Sequence, residues 1–209
     1  VYEKISAVYD FTFGPTLHPG RVEAIGRMGI RPGDRVASFQ WNNHRHLELY
    51  YGVPAMGAVL HTLNIRLGAR DLEYIINHAS DRVVFVDEDL LPLVEPLAAQ
   101  CPTVERWVVC SDREAGAWKT SLPGAVGYEE WIAGRRSDLA WPEFDENASL
   151  GLCYTSGTTG NPKGVVLTVR LPSRAFAVAC AHKASPSPQH LNLISNAAAM
   201  EDELGQRQV

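Results

Sequence analysis

The chain reads as an α/β protein built on a mainly parallel sheet with helices on both faces. Three observations predict this. Strand-like and helix-like segments alternate over residues 35–110. Leu72, Ile75, Ile76 and Ala79 recur at the spacing of a single helix face. Val83-Val84-Phe85-Val86 is an unbroken apolar run, the pattern of a strand covered on both sides.

The elements follow in order. Residues 36–39 form a first strand, introduced by the turn residues Pro32-Gly33-Asp34. Residues 46–58 form a helix with Leu47, Tyr50 and Tyr51 on one face, and Pro54 kinks it or opens its last segment. Residues 59–63 make a second strand, followed by the helix that carries Leu72 to Ala79 and by the strand 83–86. Leu90, Leu93, Val94 and Leu97 form another helical stripe, weakened by Pro92 and Pro96. Trp107-Val108-Val109 is the next strand. Residues 111–146, rich in Gly, Asp, Glu and Trp, read as a long surface connection with a short helix signal at 128–132. Strands at 150–154 and 165–168 enter and leave a Gly- and Thr-rich loop.

Composition narrows the function classes. The 209 residues suffice for one large domain or two small ones. With 45% hydrophobic and 21% charged residues, the chain has the make-up of a soluble globular protein. A net charge of −5 with no basic stripe argues against nucleic acid as a partner. Cys101, Cys110, Cys153 and Cys180 form no C-x-x-C pair, which points to reduced thiols in a cytoplasmic protein rather than to a disulfide framework or a metal site. No apolar run is long enough for a transmembrane segment, and no secretory leader is visible. A first residue other than Met points to a fragment or a processed product.

The chemistry concentrates in Tyr154-Thr155-Ser156-Gly157-Thr158-Thr159-Gly160-Asn161-Pro162-Lys163-Gly164. Its glycines let the backbone turn tightly and aim successive N–H groups at one concave site. Hydroxyls on Thr155, Ser156, Thr158 and Thr159 add donors, and Lys163 adds a fixed positive charge. Such a set suits a polyphosphate. The spacing is not that of a Walker A loop, because no Lys-Ser/Thr pair follows the last glycine of a G-x-x-x-x-G span. A solvated Gly/Ser/Thr turn is the bland alternative. Against it, eleven consecutive positions resemble the phosphate loop of the adenylate-forming enzymes, the acyl-CoA synthetase and ligase superfamily.

The resemblance extends over residues 31–167. It includes Gly33-Asp34-Arg35-Val36, Trp41-Asn42-Asn43, the segment from Gly57 through Leu67, Leu72-Glu73-Tyr74-Ile75-Ile76-Asn77-His78 and Phe85-Val86-Asp87. These are similar to the branch acting on medium- or long-chain fatty acids. The resemblance implies an incomplete three-layer N-terminal domain of that superfamily, with ATP, Mg2+ and CoA as the groups used by the complete enzyme. A carboxylate would attack the α-phosphate of ATP, and the CoA thiol would then attack the acyl-adenylate. Thr155, Ser156, Gly157, Thr158, Thr159, Gly160 and Lys163 would hold the β- and γ-phosphates, with Thr158 and Thr159 as the leading hydroxyl contacts.

Other parts of the family pattern are missing. No aromatic-rich motif with a histidine follows the loop, and no Gly-x-Thr-Glu or Tyr-x-Thr-Gly-Asp segment is present. Val169 stands where the family carries histidine. No catalytic residue or metal ligand is therefore assigned. The expectation is a ligase fragment, inactive as the isolated chain and self-associating through exposed apolar surface. A non-catalytic nucleotide-phosphate-binding fragment remains a second reading. Residues 1–36, with Val1-Tyr2-Glu3-Lys4, His18-Pro19-Gly20-Arg21 and the shared Gly33-Asp34-Arg35-Val36, resemble the opening of S-adenosylmethionine-dependent phospholipid N-methyltransferases. The glycine-rich cofactor loop of those enzymes is absent, because Ala37-Ser38-Phe39-Gln40-Trp41-Asn42-Asn43 stands in its place. The expected division is 1–30 methyltransferase-like, 31–170 partial AMP-binding domain and 171–209 an unassigned tail with a short helix at 175–182.

Several other residues invite a functional reading and receive a structural one. His44 and His46, at i and i+2, face different sides of a helix start and make no metal pair. His78 would bond the last carbonyls of its helix. Cys153 lies on a buried strand as an inert thiol. Asp81, Asp87 and Asp89 read as turn and cap residues, and Trp41 and Trp107 as core aromatics.

Overall fold

A computed structural model of the protein describes residues 30–113, 117–133, 145, 147–155 and 161–168. Its centre is a seven-stranded sheet of β1 (Arg35–Phe39), β2 (Val59–Thr62), β3 (Val83–Asp87), β4 (Arg106–Cys110), β5 (Val126–Gly127), β6 (Ser149–Thr155) and β7 (Lys163–Thr168), in the order β5-β4-β3-β1-β2-β6-β7. All neighbours from β5 to β6 pair in parallel, and β7 runs antiparallel to β6. The helices are α1 (His44–Ala55), α2 (Ala69–Ala79), α3 (Leu91–Val94) and α4 (Tyr128–Ile132).

Each strand divides its side chains between two cores, as the period of two requires. Val36, Leu60, Val83, Phe85 and Val108 pack on one face with Leu49 and Val53 of α1 and with Tyr128 and Ile132 of α4. Ala37, Phe39, Val84, Val86, Trp107 and Val109 pack on the other with Leu72, Ile75 and Ile76 of α2 and Val94 of α3. The unbroken apolar run of β3 is thus explained, since both of its faces are covered. Burying each of the Val, Leu, Ile and Phe side chains contributes roughly 1.5–3 kcal/mol. The chain moves one way from β1 to β2 and back past β1 to β3. Helices α1 and α2 accordingly lie on opposite faces, as right-handed crossovers demand.

Helix α1 starts at His44, because the Asn43 side chain accepts the His46 backbone N–H at 2.9 Å and caps the first turn. Pro54 lies in its last turn, and the helix stops at Ala55. Gly57, at φ +76°, then turns the chain toward β2, and a Cβ there would lie 3.2 Å from Pro32 Cβ.

Two expectations need correction. The stripe from Leu90 to Leu97 is not one helix: α3 is a single turn between 3₁₀ segments at Glu88–Leu90 and Glu95–Gln100. Pro92 and Pro96 sit at the starts of these short pieces, where no N–H is needed. Leu90, Val94 and Leu97 are buried, but Leu93 points outward. The stretch 111–146 is not only a surface connection. It supplies β5 and α4, and buries Leu122, Tyr128 and Ile132. Apart from Ile30, the outer segments of the expected division, including the helix at 175–182, lie outside the described residues.

Candidate phosphate-binding hairpin

β6 and β7 form an antiparallel hairpin whose register sets Thr155 opposite Lys163, Tyr154 opposite Gly164 and Cys153 opposite Val165. Because β6 is parallel to β2, its loop leaves at the carboxyl edge of the sheet. The chain leaving β2 crosses toward β3 on one side, while the chain leaving β6 turns to β7 on the other. Open α/β sheets bind ligands where adjacent strands diverge in this way. Thr155 and Lys163 are both exposed at that edge. Strand β7 begins at Lys163, so the lysine belongs to the strand that leaves the loop. Ser156, Gly157, Thr158, Thr159 and Gly160 lie outside the described residues.

A packed shell supports the hairpin. The Tyr154 hydroxyl and His78 Nδ1 are 2.6 Å apart. His78 therefore bonds across to β6 instead of capping the end of α2 as expected. Burial, reinforced by the charge of Asp81, pushes the Tyr154 phenol up to about 12, so it stays protonated at ordinary pH. The Tyr154 ring lies 5.1 Å from that of His61. His61 Nδ1 in turn meets Asp81 Oδ2 at 2.7 Å, and neither side chain is exposed. Asp81 lies in the turn that ends α2, where its N–H donates to the Ile76 carbonyl at 3.1 Å, and its carboxylate is in addition a buried partner of His61. Burial raises its pKa, while the charge and hydrogen bond of His61 pull it back.

Asp87 also exceeds its expected turn role. It accepts the Trp41 backbone N–H at 2.8 Å, and Gln40 Nε2 and Asn43 Nδ2 also donate to it. Burial raises its pKa and these donors lower it. Trp41 is not a core aromatic: it is half exposed and donates from Nε1 to Asp89 at 2.8 Å. Trp107 is buried as expected. His44 is exposed, whereas His46 is buried with Nε2 3.1 Å from Ser38 Oγ. Cys153 is half-buried rather than buried. Burial raises the thiol pKa of Cys101 to about 11 and pushes that of Cys110 well above its ordinary value, which keeps both unreactive.

A recess of about 590 Å³ at the ends of β1, β3 and β4, lined by Trp41, Asn43, Arg45, Asp87, Ser111 and Arg113 among others, gave no sequence signal. Its charges are already engaged: Arg45 with Asp112 and Glu129, and Arg113 with Glu88. Among the described residues no group of three or more His, Cys, Asp or Glu gathers to hold a metal, and no helix is long and apolar enough to cross a membrane.

Comparison with known proteins decides the lineage. Residues 23–197 match the family described as AMP-binding enzyme. The chain belongs to the AMP-binding enzyme family. It is 44% identical over 147 residues to the medium-chain-fatty-acid–CoA ligase of Ectopseudomonas oleovorans, covering 70% of this chain and 27% of that protein. It is 49% identical over 142 residues to the 3-methylmercaptopropionyl-CoA ligase of Ruegeria pomeroyi, covering 68% of this chain and 26% of the relative. The fold matches the crystal structure of the anthranilate CoA ligase AuaEII in complex with anthranoyl-AMP, with a TM-score of 0.68 at 24% identity over 78% of this chain and 31% of that one.

The chain spans about a quarter of the length of the curated relatives it matches. The family match opens at residue 23 and runs to 197, beyond both limits of the motif resemblance at 31 and 167. The methyltransferase likeness of the opening residues gains no support from these matches.

Proposed function

We propose that the chain carries the polyphosphate-holding hairpin of an ATP-dependent ligase that joins a fatty acid to CoA. The observation that carries this reading is the Thr155–Lys163 rung at the carboxyl edge of a parallel sheet, closing a loop of glycines and hydroxyls. Its setting in an AMP-binding enzyme, 44% identical to a medium-chain-fatty-acid–CoA ligase, supports the substrate class.

In the proposed reaction a carboxylate oxygen attacks the α-phosphorus of ATP. The bond to the bridging oxygen breaks, and pyrophosphate leaves with the electron pair. The thiolate sulfur of CoA then attacks the acyl carbon of the adenylate, and AMP departs. Negative charge builds on the leaving pyrophosphate during the first step, and the Lys163 ammonium offsets it. Thr155, Ser156, Thr158 and Thr159 offer hydroxyl donors, while Gly157 and Gly160 allow the backbone to approach the phosphates. Mg2+ would enter with the nucleotide. A cytoplasmic location fits the free thiols Cys101, Cys110 and Cys153.

The isolated 209-residue chain is proposed to be inactive, because positioning the adenosine and the carboxylate takes groups beyond a phosphate cradle. With β7 at the edge of the described sheet, it is also proposed to self-associate. Pyrophosphate release from ATP is the test, using a full-length ligase carrying residues 149–168 and a series of fatty acids. Release that depends on a fatty acid supports the reading, and a grafted enzyme unable to release pyrophosphate with any acid contradicts it.

A further inference from the structure

One rung below the pair that closes the loop, Tyr154 lies opposite Gly164. A Cβ on Gly164 would fall 3.2 Å from Tyr154 Cζ and 3.4 Å from its hydroxyl oxygen. The aromatic ring thus lies across the glycine and takes up the space a side chain would occupy. The far end of the same ring is tied to α2, where His78 Nδ1 and the hydroxyl oxygen are 2.6 Å apart and the two rings meet edge-on at 5.8 Å. Tyr74, one helical turn earlier, stacks on His78 at 5.3 Å and steadies that imidazole.

Among the described residues β7 has a strand neighbour on one side only, so its register depends on β6 and on contacts of this kind. A one-residue slip would carry Lys163 to the opposite face of the hairpin. A ring laid over a glycine on an edge strand is a known means of pinning such a register.

We infer that Tyr154 is a positioning residue for the phosphate site: by covering Gly164 and bonding His78, it holds the rung that sets Thr155 opposite Lys163. The inference rests on the proposed phosphate role of that pair. Tyr154 turns its hydroxyl to His78 on α2. It acts through the strand, so its loss should loosen the hairpin and weaken anion binding while leaving the two parallel-sheet cores intact.

The experiment uses the 209-residue chain, with inorganic pyrophosphate as the probe and amide hydrogen exchange as a ligand-free readout. Tyr154→Phe removes only the hydroxyl. It should speed exchange at residues 153–155 and 163–165 and weaken pyrophosphate binding about three- to tenfold, the weight of one hydrogen bond. Exchange in β1 and β3 should not change. His78→Leu should reproduce both effects and His78→Gln, which keeps a polar partner for the hydroxyl, should restore most of the binding. Adding His78→Leu to Tyr154→Phe should cost little more, since both remove one bond. Gly164→Ala should also weaken binding, by displacing the ring a few tenths of an ångström. Hairpin exchange and pyrophosphate affinity unchanged in Tyr154→Phe would overturn the inference alone. Wild-type chain that ignores pyrophosphate, or Lys163→Ala that binds it equally well, would overturn the phosphate reading and this inference with it.

Discussion

His61 on β2 and Asp81, just ahead of β3, meet at 2.7 Å with neither side chain exposed to solvent. They join two strands that do not pair directly, since β1 lies between them. Removing one partner strands the other in the interior, and breaking such buried pairs costs about 3–5 kcal/mol. His61→Ala is therefore expected to lower the free energy of unfolding by that amount in urea titrations. Replacing both residues by apolar ones of similar size should cost less than the single change. A loss below about 1 kcal/mol for His61→Ala would show that the pair carries little of the stability.

Ser80 ends α2 in the left-handed region, at φ +55°. A side chain is strained there and glycine is not. Ser80→Gly should raise stability by about 0.5–1 kcal/mol, read as a higher thermal midpoint. A lower midpoint would mean that the serine holds its turn by more than backbone geometry.

Arg82 spans Glu105, through Nε at 2.8 Å and Nη2 at 2.7 Å, and Asp34 through Nη1. The Arg82 hydrogen bond holds the Glu105 carboxyl below its ordinary value. A carboxyl lowered by folding gives stability that is present above about pH 4.5 and is lost as the pH falls through the folded value. The advantage of the wild-type chain over Glu105→Gln should therefore shrink from pH 6 to pH 3, and shrink also in high salt. Glu105 is largely exposed, so the whole effect should stay within about 1 kcal/mol. Denaturant midpoints of the two proteins across that pH range provide the check, and a gap that widens toward pH 3 would contradict the assignment.

The purified 209-residue chain should make no acyl-CoA from ATP, CoA and any fatty acid, while still binding pyrophosphate. Holding the phosphates does not align the carboxylate with the α-phosphorus. Mass spectrometry of the thioester product reads this directly. Sustained turnover by the chain alone would mean that it contains a complete site.

The sheet and its helices were legible because burial on one or both faces writes its period into the residues, as in Val83 to Val86 and in Leu72, Ile75, Ile76 and Ala79. The order Tyr154 to Gly164 likewise marked the hairpin. What stayed hidden depends on contacts between distant positions. His78 reaches Tyr154 across 76 residues, and His61 reaches Asp81 across 20. No local pattern records such pairs. Strand β5 is only two residues long, too short to show alternation, so the core contribution of 111–146 read as surface. Trp41 follows β1 at the carboxyl end of that central strand, where its ring is half exposed and bonded to Asp89, although its size and apolar character suit a core.

Lys163, opposite Thr155 on the hairpin, is proposed to hold the phosphates of ATP. The most direct test is the ATP affinity of a full-length ligase carrying residues 149–168, with and without Lys163→Ala. Loss of a charge-assisted hydrogen bond removes roughly 1.5–3 kcal/mol, so binding should weaken about ten- to a hundredfold, with a parallel fall in adenylate formation. Equal affinity and equal adenylation in the two proteins would show that Lys163 does not hold the phosphates.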